Sequence, residues 1–255
     1  MPRRKEQFEN GDIGHVILRA LDDNLIFKNV DDYYRGVFSI YEFNNTNPIN
    51  MRDRREQRRA EKIVEAIAAP RAPSSGNFPE LGARGGYIDK RDRLVEVLAF
   101  CFMPNHIHLL LKQVKDDGIS KFMQKVGGGY GRYFNDKYNR KGHVFQDTFK
   151  LVIIKDNNQF MIVVPYIFTN PTALIEPGWK EKGIRNHSVA ETTKFLEEYK
   201  WSSYQDCIGI KNFDSVTQRD FLLEVMGGKQ GCKDAVKNWV EYKKDMGQFT
   251  VLFLE

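Results

Sequence analysis

One break in an apolar run constrains this chain more than any other feature. Leu94 opens the run Val-Glu-Val-Leu-Ala-Phe-Cys-Phe, which Met103-Pro104-Asn105 interrupts, and His106 to Lys112 resumes it at once. Both halves have the length and composition of buried strands. A parallel return needs a dozen residues or more, so a link this short predicts an antiparallel hairpin. Thr148 to Lys155, with Leu-Val-Ile-Ile inside it, predicts a further core strand. Helical patterns lie between and after these strands. Interleaved strands and helices with hairpin-length links predict an α+β fold on an antiparallel sheet, not a doubly wound parallel one.

The rest of the chain divides by character. Residues 1–43 contain a short β-rich segment, Ile13 to Ala20, a turn at Asp22-Asp23-Asn24 and an extended run at Leu25-Ile26-Phe27. A helix over Tyr33 to Phe43 follows, with Asn29 or Asp31 as its cap. Residues 44–92 differ: a charged stretch, Met51 to Ala68, leads into Ala69 to Gly86, which holds three prolines and four glycines. This composition predicts an insertion, a charged helix and then a mobile loop. Arg52, Arg54, Arg55, Arg58 and Arg59 could form a DNA-contacting stripe or one side of a solvated helix laced with Asp53, Glu56 and Glu61. Ile119 to Asn135 is helical by periodicity but holds Gly127, Gly128, Gly129 and Gly131, which predicts a frayed or kinked helix. Asp156 or Asn157 caps a helix that runs toward Asn170, where Pro171 ends it; Pro165 within it predicts a kink. Val189–Tyr199, Gln218–Val225 and Ala235–Tyr242 read as short helices of a C-terminal appendix.

Composition excludes several classes. Hydrophobic residues at 41% and charged residues at 29% supply a real core, so wholesale disorder is excluded. No apolar run reaches the roughly 18 residues of a membrane helix, and no apolar stretch follows the charged N-terminus as in a secretory signal. Three cysteines, Cys101, Cys207 and Cys232, lack metal-type spacing and support neither a disulfide framework nor a zinc knuckle. These features predict a cytoplasmic protein. A net charge of +5 is compatible with a nucleic-acid partner without identifying one.

Two local patterns carry chemistry. His106 and His108 are two apart on a strand, so both imidazoles share a face while Ile107, Leu109 and Leu111 turn into the core. Such a pair suits a divalent metal needing two nitrogen ligands, or is a pair of ordinary surface histidines. Val164-Pro165-Tyr166-Ile167-Phe168-Thr169-Asn170-Pro171 closes a helix, making Tyr166 and Asn170 neighbours at i and i+4. They fit a metal-assisted tyrosine nucleophile, or a core tyrosine beside an Asn cap. A phenol with a pKa near 10 must lose its proton as it attacks.

Taken together, the His-x-His strand and the Tyr-x-x-x-Asn-Pro helix end resemble the HUH single-tyrosine endonucleases, and most closely the REP-associated tyrosine transposases. Gly14 to Arg19, Ile26-Phe27 with Asp31-Asp32, Phe102 to His108, Gly142 to Gln146 and Trp201-Ser202-Ser203-Tyr204 resemble further motifs of that family. The resemblance covers residues 11–43 and 93–206. It implies a ferredoxin-like α+β core with helices on one face of the sheet, built from residues 1–43 and 93–175, with an insertion at 44–92 and a helical appendix at 176–255. It implies His106, His108 and Asn170 as metal ligands, Mg²⁺ or Mn²⁺ as the ion, and Tyr166 as the nucleophile. The implied reaction is cleavage of single-stranded DNA near a hairpin through a 5′-phosphotyrosine link. Monomer and homodimer are both compatible with it, as is association with the nucleoid. A domesticated descendant that grips hairpin DNA without cutting it, and a metal-dependent hydrolase using water in place of tyrosine, are the alternatives. Tyr130, Arg132, Tyr133, Lys137, Tyr138, Arg140 and Lys141 interleave rings with cations, as strand-binding surfaces do. Tyr130 and Tyr133 are reserve nucleophiles, Lys150 and Lys155 could meet phosphate, and His15 reads as structural.

Overall fold

The computed structural model describes residues 8–50, 53, 54, 56, 60, 89, 91–146 and 148–245. Among these, four strands form one antiparallel sheet: β1 (Ile13–Arg19), β2 (Val95–Met103), β3 (His106–Gln113) and β4 (Lys150–Ile154), in the order β2-β3-β1-β4. The β2–β3 hairpin turns tightly at Pro104-Asn105, as the break in the apolar run predicts. β1, the N-terminal strand, is central, hydrogen-bonded to β3 on one side and β4 on the other. β4 is an edge strand with half-exposed side chains rather than a buried one.

Two helices cover one face. α1 (Val30–Glu42) starts at a capping box in which Asn29 accepts from the Asp32 amide and Asp32 accepts from the Asn29 amide. α2 (Gly118–Lys137) is continuous through its glycines, where the sequence predicts fraying. Close packing explains one of them: a Cβ on Gly129 would stand 2.2 Å from the Phe43 ring, whereas nothing lies within 4 Å of one on Gly128. Val16, Leu18, Ile107, Leu109 and Leu111 meet these helices in a core that includes Phe122, Tyr130 and Phe134.

The opposite face is covered too, which goes further than the one-sided arrangement expected. α3 (Asn157–Thr169) begins at Asp156, whose side chain accepts from the Gln159 amide, and runs through Pro165 as one helix. It buries Phe160, Val163, Val164, Tyr166, Ile167 and Phe168, so its apolar surface extends nearly all round and needs cover on two sides. The sheet supplies one side. The other comes from α4 (Trp179–Lys182), α5 (Val189–Glu198), α6 (Tyr204–Cys207), α7 (Asp220–Met226) and α8 (Gly228–Asp245), which share a second core with α3 and with Leu98, Cys101, Met103 and Leu110 of the sheet.

The Leu25–Phe27 run is not a strand: Ile26 and Phe27 donate their amides to the Pro104 carbonyl, which ties it to the hairpin turn. The Trp201–Ser203 segment borders β2, with Phe102 donating to Trp201 and Ser203 donating to Phe100. The expected charged helix and loop at 44–92 lie mostly outside the described residues, as do Arg52, Arg55, Arg58 and Arg59; Arg54 pairs with the buried Glu42 at 3.0 Å. All three cysteines are buried free thiols. No helix among the described residues is long and apolar enough to cross a membrane.

Candidate active site

Strand register assembles the site. His108 lies opposite Ile17, which lies opposite Lys150, while His106 lies opposite Arg19. Directly paired residues share a face, so two imidazoles and two cations meet on the side of the sheet that α3 covers. The rings of His106 and His108 stand edge to face with centroids 4.8 Å apart. α3 lays Tyr166 against His108 and His15, its ring centroid 5.8 and 5.9 Å from theirs. The face is not open to solvent as the sequence suggests, because α3 closes over it: His108 is 2% exposed and Tyr166 2%.

The hydrogen bonds fix which ring nitrogens can ligate. His106 Nδ1 lies 2.6 Å from Asn105 Oδ1; an amide oxygen can only accept, so Nδ1 carries the proton and Nε2 the lone pair. His15, read from sequence as structural, is stacked on His108, its Nε2 2.9 Å from His108 Nδ1. Burial, reinforced by the charge of Lys180, pushes the His15 imidazole down to about 3. Burial also pushes His108 well below the ordinary histidine range, because a proton there would be desolvated and would stand beside two further imidazoles and the charges of Lys180 and Arg19. Both rings are therefore neutral at physiological pH, as metal ligation requires. The outer nitrogens of this pair, His15 Nδ1 and His108 Nε2, are buried without a hydrogen-bond partner.

A small cavity opens beside the pair, lined by Arg19, His106, His108, Gln146, Lys150 and Lys180 together with Ile17 and Thr148. An unpartnered imidazole nitrogen beside a second imidazole fits a divalent ion, and three cations around the same space fit a phosphate. Among the described residues no three His, Cys, Asp or Glu side chains are placed to hold a metal ion together, so a third protein donor would be of another type. Asn170, buried at the end of α3, donates Nδ2 to the Tyr166 carbonyl at 2.7 Å. An amide ligates through oxygen, and this bond occupies only its nitrogen.

One neighbour of the tyrosine was missed from sequence. Lys180, in α4, donates to the Tyr166 hydroxyl at 2.8 Å. Nothing in Gly-Trp-Lys-Glu-Lys distinguishes this lysine; only the return of the chain over α3 does.

The remaining predicted residues lie elsewhere. Tyr130 is fully buried in the core across the sheet from the histidines and donates to the Ile26 carbonyl at 2.6 Å. Tyr133, Lys137 and Tyr138 converge on the buried Asp32 at 3.0, 2.7 and 2.6 Å, a cluster that ties α2 to α1. Arg132 and Lys141 are exposed and the Arg140 guanidinium lies over Phe134, all on α2 or the turn after it. Lys155 follows Ile154, the end of β4 that pairs with Ile13, away from the histidines.

Residues 89–170 match the family described as "Transposase IS200 like". A solved structure described as "Structure of the REP associates tyrosine transposase bound to a REP hairpin" is similar at 14% identity, with a TM-score of 0.46 and coverage of 84% of this chain and 90% of that one. No curated protein matches the chain. The likeness to tyrosine transposases that the motifs carry is thereby borne out over residues 89–170, the segment that holds His106, His108, Tyr166 and Asn170.

Proposed function

We propose that this protein is a metal-dependent single-stranded DNA endonuclease and strand transferase that cleaves beside hairpins through a 5′-phosphotyrosine link. The observation that carries the reading is the seating of the Tyr166 ring 5.8 Å from His108, beside a cavity lined by both histidines and three cations. The family match over the same residues supports it. In this reading residues 1–43 and 93–175 form the catalytic core, 44–92 an insertion and 176–255 an appendix.

His106 and His108 would hold Mg²⁺ or Mn²⁺, with the Asn170 amide oxygen as the third protein donor. When bound, the ion polarises a non-bridging phosphate oxygen. Two imidazoles and an amide bring no negative charge, so such a site would favour an anionic phosphate beside the ion. Arg19 and Lys150 offset the phosphate charge, and α3 with its covering helices keeps bulk water from the link. Tyr166 Oη attacks phosphorus, the bond to the 3′ oxygen breaks, and the phenolic proton passes to water while the 3′ oxygen gains one. A second 3′-hydroxyl reverses the step and joins a new strand, so bond energy is conserved without a nucleotide cofactor.

A hairpin oligonucleotide labelled on either side of its junction tests this, incubated with Mn²⁺ and separated under denaturing conditions. The wild type retains the 5′-phosphoryl fragment covalently, and Tyr166→Phe binds the hairpin without linking. Binding with no linkage in either protein would leave a hairpin-binding module. A free 5′-phosphate that survives Tyr166→Phe would assign the attack to water.

A further inference from the structure

We propose that Lys180 is a catalytic residue of this site, supplied from outside the segment that carries the transposase motifs, and that its ammonium stabilises the Tyr166 oxygen as the phenolic proton leaves. The inference rests on the function proposed above. Lys180 Nζ lies 2.8 Å from Tyr166 Oη and 4.9 Å from the centroid of the same ring, and its side chain lines the cavity with His106, His108 and Lys150.

The placement is built. Trp179 is 1% exposed and anchors the turn in the second core. Gly178 enters it at φ +79°, a backbone conformation that other residues adopt only under strain. From α8 the Lys243 ammonium, itself buried, donates to the Lys180 carbonyl at 3.1 Å and holds that backbone in place.

The direction of the hydrogen bond gives the chemistry. An ammonium can only donate, so Oη accepts from Lys180 while its own proton points elsewhere. As Tyr166 Oη bonds to phosphorus and the 3′ oxygen departs, the phenolic proton passes to water, and the 3′ oxygen takes one from water. Lys180 remains an ammonium throughout and gains or loses nothing. Charge that builds on Oη before the bond closes already faces a cation beside a buried ring, where such a contact is stronger than in bulk solvent. Once the link has formed, Oη is the bridging oxygen that must leave when a 3′-hydroxyl attacks. The same donor then stabilises it in the reverse sense, so Lys180 accelerates linking and release together.

The test separates chemistry from binding. In single-turnover reactions with a labelled hairpin and Mn²⁺, Lys180→Met should link about 100-fold more slowly, the usual cost of removing one such donor, with a much smaller loss of hairpin affinity. Lys180→Arg, which keeps the charge, should recover most of the rate. Without DNA or metal, the Tyr166 ¹⁹F resonance in 3-fluorotyrosine-labelled protein, assigned by its absence in Tyr166→Phe, should move in Lys180→Met. Linking at the wild-type rate in Lys180→Met, or an unmoved ¹⁹F resonance, overturns the inference and leaves the proposed function standing. A wild type that forms no link overturns both. If Lys180→Met melts early, Lys180→Gln carries the same measurements, and equal losses of rate and affinity there assign Lys180 to binding instead.

Discussion

His15 shows how one side chain can set the chemistry of another. Between two neutral imidazoles joined by one hydrogen bond, either His108 Nε2 or His15 Nδ1 carries the remaining proton. Metal ligation by His108 Nε2 requires that His108 Nδ1 donate to His15 Nε2. His15→Phe keeps the stacking but removes that acceptor, and should weaken Mn²⁺ binding about 10-fold or more by the usual cost of losing a ligand's supporting partner. Titration followed by electron paramagnetic resonance reads this directly; unchanged affinity would show that His15 only fills space. The cations around the site make a second expectation. With Arg19, Lys150 and Lys180 beside it, the free protein should hold Mn²⁺ weakly, and hairpin DNA should raise that affinity by the same factor by which Mn²⁺ raises affinity for the hairpin. His106, His108 and Tyr166 were legible because strand and helix periodicity sort them onto facing surfaces. His15 and Lys180 were not, because neither belongs to a local pattern that marks it.

At the scale of elements, the α1–α2 contact offers two measurable contrasts. Gly129→Ala would drive a methyl into the Phe43 ring and should destabilise by about 1–3 kcal/mol, whereas Gly128→Ala, with open space around it, should stabilise by up to about 1 kcal/mol. Thermal melts that order the two the other way would refute the packing account of the glycines. Asp32 pins the same helices. Burial raises its carboxyl, but hydrogen bonds from Lys137, Tyr138, the Lys28 amide and Tyr133 outweigh burial and hold it below the ordinary range. A depressed folded-state value contributes stability above the unfolded value and loses it as pH falls through the folded one. Asp32→Ala should therefore cost about 3 kcal/mol at neutral pH, a gap that narrows below about pH 4; denaturant melts at both pH values check it. The β2–β3 hairpin, the Asn29 and Asp156 caps and the C-terminal helices were readable from runs and cap residues. The continuity of α2 was not, since propensity counts the cost of glycine without seeing the ring that needs the room. Nor was the burial of Tyr130 and Lys137's pairing with Asp32, which an aromatic–basic pattern imitates.

Across the whole molecule, the net charge of +5 says little about where a strand binds, but the two faces of the sheet differ. Lys150→Gln, on the histidine face, should lower the logarithmic salt slope of hairpin binding by about 0.7. Arg140→Gln, beyond α2 on the other side, should leave it unchanged, and the opposite result would move the DNA to that side. One topological fact reaches further. Among the described residues β1 is the one strand that hydrogen-bonds both β3 and β4, and it lies in sequence well before the 89–170 segment that matches the transposase family. That segment is therefore not portable. Expressed alone it would own both halves of a sheet and nothing to join them, and grafted into another scaffold it would carry its histidines and tyrosine without the strand that sets their spacing. Exchange of this site between proteins must take the first strand along, or find another to fill the gap.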